Sequence, residues 1–256
     1  MANINVKDII VKPINPTKAN DFVRKHHYSG KIVHNSCLHF GAFYKNILHG
    51  VLSFGPSMDK SKIIELVKDT KWNDFLELNR MAFDDYLPKN SESRCIAVSF
   101  RLIKKHYPNI KWVISFADGT QCGDGAIYRA SGFLLCGITE NKTILEFPNG
   151  ERVANISLRP QNCSKARLGE LLGKKEYRGE IKYFTEKEWE ELGVKRVSGY
   201  MLRYIYFLDK SYKDKLTVPI LPFSEIDKIG AGMYKGENIT VEERHKKGVA
   251  ELKEKR

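Results

Sequence analysis

Residues 76–133 read LELNRMAFDDYLPKNSESRCIAVSFRLIKKHYPNIKWVISFADGTQCGDGAIYRASGF, and their pattern decides the fold. Residues 76–83 are an apolar run of strand length. A polar loop follows at 84–90. A helix over 93–106 is expected from Ile96, Ala97, Phe100 and Ile103 at helical spacing. Pro108 stops it, because proline lacks the amide a helix interior needs. A second strand over 112–117 ends at Asp118-Gly119. The glycine-rich loop 119–125 then leads into a short helix over 126–131, closed by Gly132-Phe133. Two apolar runs joined through a helix form the βαβ pattern of a parallel pair. Such units collect ligands at the carboxyl ends of the strands, beside helix N-termini. Arg80, Ser91, Ser93, Asp118, Asp124 and Tyr128 are therefore expected near one another.

Outward from this stretch, residues 4–13 alternate like a strand. A helix over 15–25 is expected with Thr17 as N-cap. It ends in His26-His27-Tyr28-Ser29-Gly30, dense in groups that exchange protons or bind metal. Residues 38–44 and 48–54 form an expected hairpin. A helix is expected over 63–68. Past Phe133 the reading is a strand over 134–138, a turn at Glu140-Asn141-Lys142, a hairpin of 143–147 with 152–158, and helices over 164–172 and 185–192. Thr185 and Glu188 have capping-box spacing. The run YMLRYIYFL at 200–208 has the highest strand propensity and is expected to return to the central sheet. Residues 241–256 read as a solvated charged helix or a frayed tail.

The fold class expected is α/β, a mixed central sheet flanked by helices. Residues 1–210 are read as the catalytic domain, with 139–199 an insertion. Residues 211–256 are read as a charge-rich, partly disordered C-terminal extension. The chain is 42% hydrophobic and 29% charged, the balance of a soluble globular protein. Its apolar runs are too short to span a bilayer, and the N-terminus lacks a signal-peptide layout. Five cysteines without C-x-x-C spacing point to a reducing compartment rather than a disulfide frame or zinc site. The net charge of +12 favours a polyanionic partner, nucleic acid before an acidic membrane surface.

The order strand, helix, hairpin, strand–helix–strand–helix resembles the GNAT acetyltransferase superfamily, as does Tyr128-Arg129-Ala130-Ser131-Gly132-Phe133. That superfamily's glycine-bearing pyrophosphate loop is replaced here by Lys89-Asn90-Ser91-Glu92-Ser93-Arg94. His27-Tyr28-Ser29, GVLSFG at 50–55, Leu78–Arg80, Asn90-Ser91-Glu92-Ser93, the strand end 115–118 and Gly125-Ala126-Ile127-Tyr128 together resemble the phage Mom proteins. The matching pieces cover residues 22–137. The resemblance implies modification of adenine N6 in double-stranded DNA by a carbamoylmethyl-type group, in the cytoplasm of a bacterial host, to evade restriction. It implies acetyl-CoA as cofactor, with iron a second candidate, and DNA as partner. A second copy of the chain is a further candidate partner. Acetyl transfer alone yields an acetylated adenine, so a carbamoylmethyl product requires a further nitrogen source.

Each candidate residue has two readings. His27 and Tyr28 are loop polar groups or, by the resemblance, an essential pair. Arg80 in an apolar strand needs either a structural partner such as Glu77 or Asp85, or an anion in a cleft. Ser91 and Ser93 cap a helix or bind a phosphate of coenzyme A, and the two roles are compatible. Asp118 forms a turn, acts as a general base, or joins His27 in holding iron. Asp124 is a candidate N-cap for the helix after it. Tyr128 is a core residue or the acid that protonates a leaving thiolate. Lys174, Lys175, Arg178 and Lys182, with Tyr177, Tyr183 and Phe184, are solvated charge or a DNA-contacting surface that receives a flipped base. An ordinary acetyltransferase acting on another amine, and a non-catalytic DNA-binding accessory protein, are the alternative functions.

Overall fold

The computed structural model describes residues 4–234, 237–240 and 242–243. The expectation for 241–256 thus lies almost wholly outside the described residues. The central sheet contains β1 (Ile10–Pro13), β2 (Leu38–Tyr44), β3 (Ile47–Gly55), β4 (Phe75–Phe83), β5 (Trp112–Asp118), β6 (Leu134–Glu146), β7 (Arg152–Ala154) and β8 (Lys195–Phe207). Their order is β1-β2-β3-β4-β5-β8-β6-β7. Only β4 and β5 run parallel; every other neighbouring pair is antiparallel. This is the mixed, helix-flanked sheet expected. The aromatic-rich strand returns to its middle, as β8 between β5 and β6.

The parallel crossover is made by α3 (Ser91–His106), whose Ile96, Phe100 and Ile103 are buried against Phe54, Leu78, Val113, Phe133 and Tyr204. Ala97, expected on that apolar face, is instead exposed. On the other face α1 (Pro16–His26) buries Ala19 and Val23 against Val51 and Ala82. The β2–β3 turn uses Lys45 and Asn46, both at positive φ, the geometry that matches strand twist in a tight hairpin.

Several boundaries differ from expectation. Asn15, not Thr17, caps α1: its Oδ1 accepts from the Lys18 amide at 2.8 Å, and Pro16 occupies the first helical position that suits proline. The next helix, α2, spans Lys60–Ile64, earlier than 63–68. Residues 6–8 form a 3-10 turn before β1. The residues expected as a turn at 140–142 lie inside the continuous strand β6, as a bulge. Asn141 Oδ1 accepts from the Thr143 amide and hydroxyl, so turn chemistry is used while β8 pairs on both sides. Residues 155–158 are a 3-10 turn rather than the end of a hairpin strand.

Beyond Asn141, the β6–β8 ribbon carries α5 (Lys165–Leu171) and α6 (Glu186–Glu191). They enclose a second core of Leu145, Phe147, Leu158, Leu168, Leu171 and Trp189. Thr185 and Glu188 form the expected capping box of α6. Residues 211–234 pack back on the sheet: Leu216 bridges to Val67, Leu221 bridges to Leu135, and Ile226 is buried.

Candidate active site

Strands β4 and β5 pair over three positions only, Phe75 with Trp112, Leu76 with Val113 and Glu77 with Ile114. Beyond them β4 and β5 cease to pair. The Ser115 hydroxyl donates to the Leu78 carbonyl at 3.2 Å where they separate. A bulge sits at this point: Phe54 pairs with Leu78 and Ser53 with Arg80, leaving Asn79 as the extra residue. Residues three apart in a regular strand face opposite ways. The bulge reverses that parity, so Leu78 and Met81 both join the main core while Glu77 and Arg80 share the other face.

Arg80 Nε donates to the Lys31 carbonyl at 2.8 Å, and Nη1 donates to the Asn79 carbonyl at 2.7 Å. Neither acidic partner considered from sequence pairs with it; Arg80 forms no ion pair among the described residues. Its guanidinium instead clasps the loop that follows His27 and Tyr28. Glu77 accepts from the Ser57 hydroxyl at 2.5 Å. Burial raises the Glu77 pKa, against the opposing pull of Ser57, Asn79 and the Arg80 charge.

His27 Nδ1 lies 2.8 Å from the Ser29 hydroxyl and accepts the Ser29 amide at 3.2 Å. An acceptor Nδ1 means the ring is neutral with its proton on Nε2. Burial, and then the Arg80 charge, lower the His27 pKa to about 4, in keeping with that tautomer. The Tyr28 ring lies 4.3 Å from the His27 ring and is 53% exposed. Desolvation of its hydroxyl, and next the charge of Asp118, raise its pKa. Tyr128, on α4 (Ala126–Ala130), is pushed up to about 12, by burial first and opposed by a hydrogen bond with Ser115. Tyr28 lies within electrostatic reach of Asp118, Cys122, Arg80 and Tyr128, Tyr128 within that of Cys122, Glu77 and Arg80, and His27 and Glu77 within that of Arg80.

Asp118 stands at this site with its oxygens already engaged. Oδ1 accepts from the Thr120 amide at 3.0 Å and from Asn141 at 3.5 Å, and Oδ2 accepts from Gln121 at 2.8 Å. That is the turn-forming geometry. Among the described residues, no three of His, Cys, Asp and Glu converge as a metal site. His27 and Asp118 supply two donors between them, short of the facial set of three that iron takes, so this pair alone does not fit iron.

Ser91 and Ser93 lie in the first turn of α3 and do not touch the His27 cluster. Neither caps the helix: Ser91 donates to the Pro88 carbonyl at 2.6 Å and Ser93 to the Asn90 carbonyl at 3.1 Å. The N-cap is Asn90, in the left-handed region at φ 71°, without a side-chain cap. The Glu92 and Ser93 amides consequently have no acceptor among the described residues. Arg94, in the same turn, has a buried Nε without a partner. Free amides at the start of a 16-residue helix, with a hydroxyl and a guanidinium beside them, are the donor set for phosphate groups. Arg94 Nη2 itself donates to the Lys7 carbonyl at 3.3 Å.

Lys174, Lys175 and Arg178 are exposed on the segment between α5 and α6. Lys182 is exposed but engaged with Glu188. Of the aromatics there, Tyr177 and Phe184 pack into the second core near Trp189, and only Tyr183 is exposed, at 69%. Tyr177 and Phe184 serve the second core rather than an open base-receiving surface. The segment after β7 still borders the site, since Lys31 Nζ donates to the Ser157 hydroxyl at 2.6 Å.

Sequence reasoning missed two groups here. Glu77 reads as a strand residue until the bulge at Asn79 is known, and Cys122 reads as part of a loop. It also misassigned Asp124. The cap of α4 is Gly125, and Asp124 is buried in an ion pair with Arg129 at 3.0 Å. Tyr204 donates to the Asp124 carbonyl at 2.5 Å, fixing the loop that carries Cys122.

Solved structures with likeness to this chain include an acetyltransferase from Bacillus subtilis in complex with CoA, at 11% identity and TM-score 0.40, covering 78% of this chain and 98% of that one. A spermidine/spermine N-acetyltransferase from Vibrio cholerae has 9% identity and TM-score 0.41, covering 82% and 98%. The methylcarbamoylase mom of Escherichia phage Mu is 33% identical over 215 residues, 84% of this chain and 81% of its own length. The Mom protein family model matches residues 8–225, spanning the sheet, the site and the insertion. The chain belongs to the Mom protein family.

Proposed function

We propose that this protein is a transferase that modifies adenine N6 in double-stranded DNA, carrying a small acyl-derived group from acetyl-CoA. The observation that carries the reading is the grouping of His27, Tyr28 and Tyr128 around Arg80, where β4 and β5 cease to pair, within a chain of the Mom family. Acetyl-CoA would supply an activated two-carbon thioester. The α3 amides of Glu92 and Ser93, the Ser93 hydroxyl and Arg94 would hold its phosphates. Tyr128, kept protonated by burial, suits a proton donor to a leaving thiolate. Glu77 suits a proton acceptor better than Asp118, because burial raises its pKa while Asp118 is held in a turn by Thr120, Gln121 and Asn141. Neutral His27 supplies an Nε2–H donor rather than a cation.

Adenine N6 is paired within the duplex, so the base must leave the stack before a buried group can reach it. The basic surface of the chain suits the phosphate contacts this requires. Plasmid recovered from bacteria expressing the chain is expected to resist restriction enzymes whose sites contain adenine. Full cutting, with the protein recovered soluble and folded, contradicts the reading.

A further inference from the structure

We propose that Ile156 is an apolar wedge that enters the duplex in place of the extruded adenine. This rests on the DNA-modification reading above and adds to it the means by which the base is held out. Ile156 lies on the 3-10 turn Asn155–Leu158 with 48% of its surface exposed. A lone exposed isoleucine is ordinary. Three features set this one apart. Its turn is anchored: Leu158 is buried in the second core, and Asn162 Nδ2 donates to the Ile156 carbonyl at 2.8 Å. The next residue, Ser157, accepts from Lys31 at 2.6 Å, and the Lys31 carbonyl accepts from Arg80 at 2.8 Å. A continuous hydrogen-bonded path therefore joins the turn to the candidate site. Tyr183 and Met58, which are more exposed, have no such link among the described residues.

The surroundings suit a phosphate backbone. Residues 155–178 contain six Lys or Arg against two Glu. Desolvation, and next the charge of Arg167, lower the pKa of the Lys31 ammonium, which lies beside the turn through Ser157. An exposed apolar side chain on a segment of net positive charge suits a duplex whose phosphates flank a stack of bases, and aliphatic wedges open base steps in that manner. The gap left by an extruded base exposes apolar ring faces that Ile156 covers.

The test uses the full chain and two fluorescent duplexes, one fully paired and one with an abasic site opposite a central adenine. The wild type is expected to bind the second about tenfold more tightly, because unpairing no longer costs binding energy and the gap accepts the wedge. Ile156→Ala should bind the abasic duplex several-fold more weakly than the wild type while binding the paired duplex equally, and Ile156→Leu should match the wild type on both. Absence of a preference in the wild type, or equal affinity of the wild type and Ile156→Ala for the abasic duplex, overturns the proposal. The underlying reading is checked separately by nucleoside analysis of plasmid from wild-type-expressing cells, where unmodified adenine sinks the reading and the wedge together. Modified adenine with no difference between the duplexes sinks the wedge alone.

Discussion

Arg80 Nε donates to the Lys31 carbonyl at 2.8 Å, tying the middle of β4 to the loop that follows His27 and Tyr28. One guanidinium thus holds backbone on two sides, since Nη1 also donates to the Asn79 carbonyl. Lysine cannot span both contacts. Arg80→Lys and Arg80→Ala are both expected to abolish DNA modification, with a stability loss of about 1–3 kcal/mol measured by urea unfolding. Retained activity in Arg80→Lys would show that charge alone suffices.

The state of His27 follows from the same arginine. Folding holds its pKa at about 4, below the ordinary 6.5, by burial and by the Arg80 charge. Between these values the unfolded chain binds a proton that the folded chain refuses. The His27 contribution to stability is complete above pH 6.5 and is lost as pH falls toward 4. Imidazole titration by NMR should give a midpoint well below 6.5, rising in Arg80→Ala. A midpoint near 6.5 in the wild type contradicts the burial of this ring.

Glu77 and Asp118 separate in a paired substitution. Glu77→Gln is expected to lower modification about 100-fold or more, the scale of a general base. Asp118→Asn, which keeps the turn's shape, should cost less than about tenfold. Wild-type activity should fall on acidification at a pH above the usual glutamate range, because burial raises the Glu77 pKa. The reverse ranking of the two variants would restore Asp118 as the base.

The buried pair of Asp124 and Arg129 is structural. Arg129→Met leaves a carboxylate buried without its cation and should destabilise the fold by about 3–5 kcal/mol in urea unfolding. A loss under about 1 kcal/mol would mean that the remaining donors to the carboxylate, the Met233 amide among them, satisfy it.

Coenzyme A binding addresses α3. Ser93→Ala and Arg94→Ala should each weaken CoA binding by calorimetry, about tenfold for the arginine. Unchanged affinity in both would place the phosphates elsewhere.

The strands and helices flanking the site were legible because their apolar spacing follows from burial on one face. Hence β4, α3, β5 and β8 lie close to where alternation, helical spacing and aromatic density place them. The convergence of His27 and Tyr28 with Arg80 was legible only through the family resemblance, because no local pattern links a loop at 27 to a strand at 80. Other features were hidden for physical reasons. Glu140-Asn141-Lys142 carries the same chemistry whether it turns the chain or makes a bulge. A serine at a helix start satisfies either end of the turn, so Ser91 and Ser93 could not be told from caps. Glu77 becomes a site residue only through the extra residue Asn79, and a one-residue bulge leaves no mark on composition.

The most direct test of the account is mass spectrometry of nucleosides from plasmid DNA of bacteria expressing the chain. The account predicts a new adenosine species, absent from an Arg80→Ala control that is equally soluble and folded, with a mass that identifies the added group. Only unmodified nucleosides, from cells in which the wild-type protein is soluble and folded and acetyl-CoA is plentiful, would contradict it.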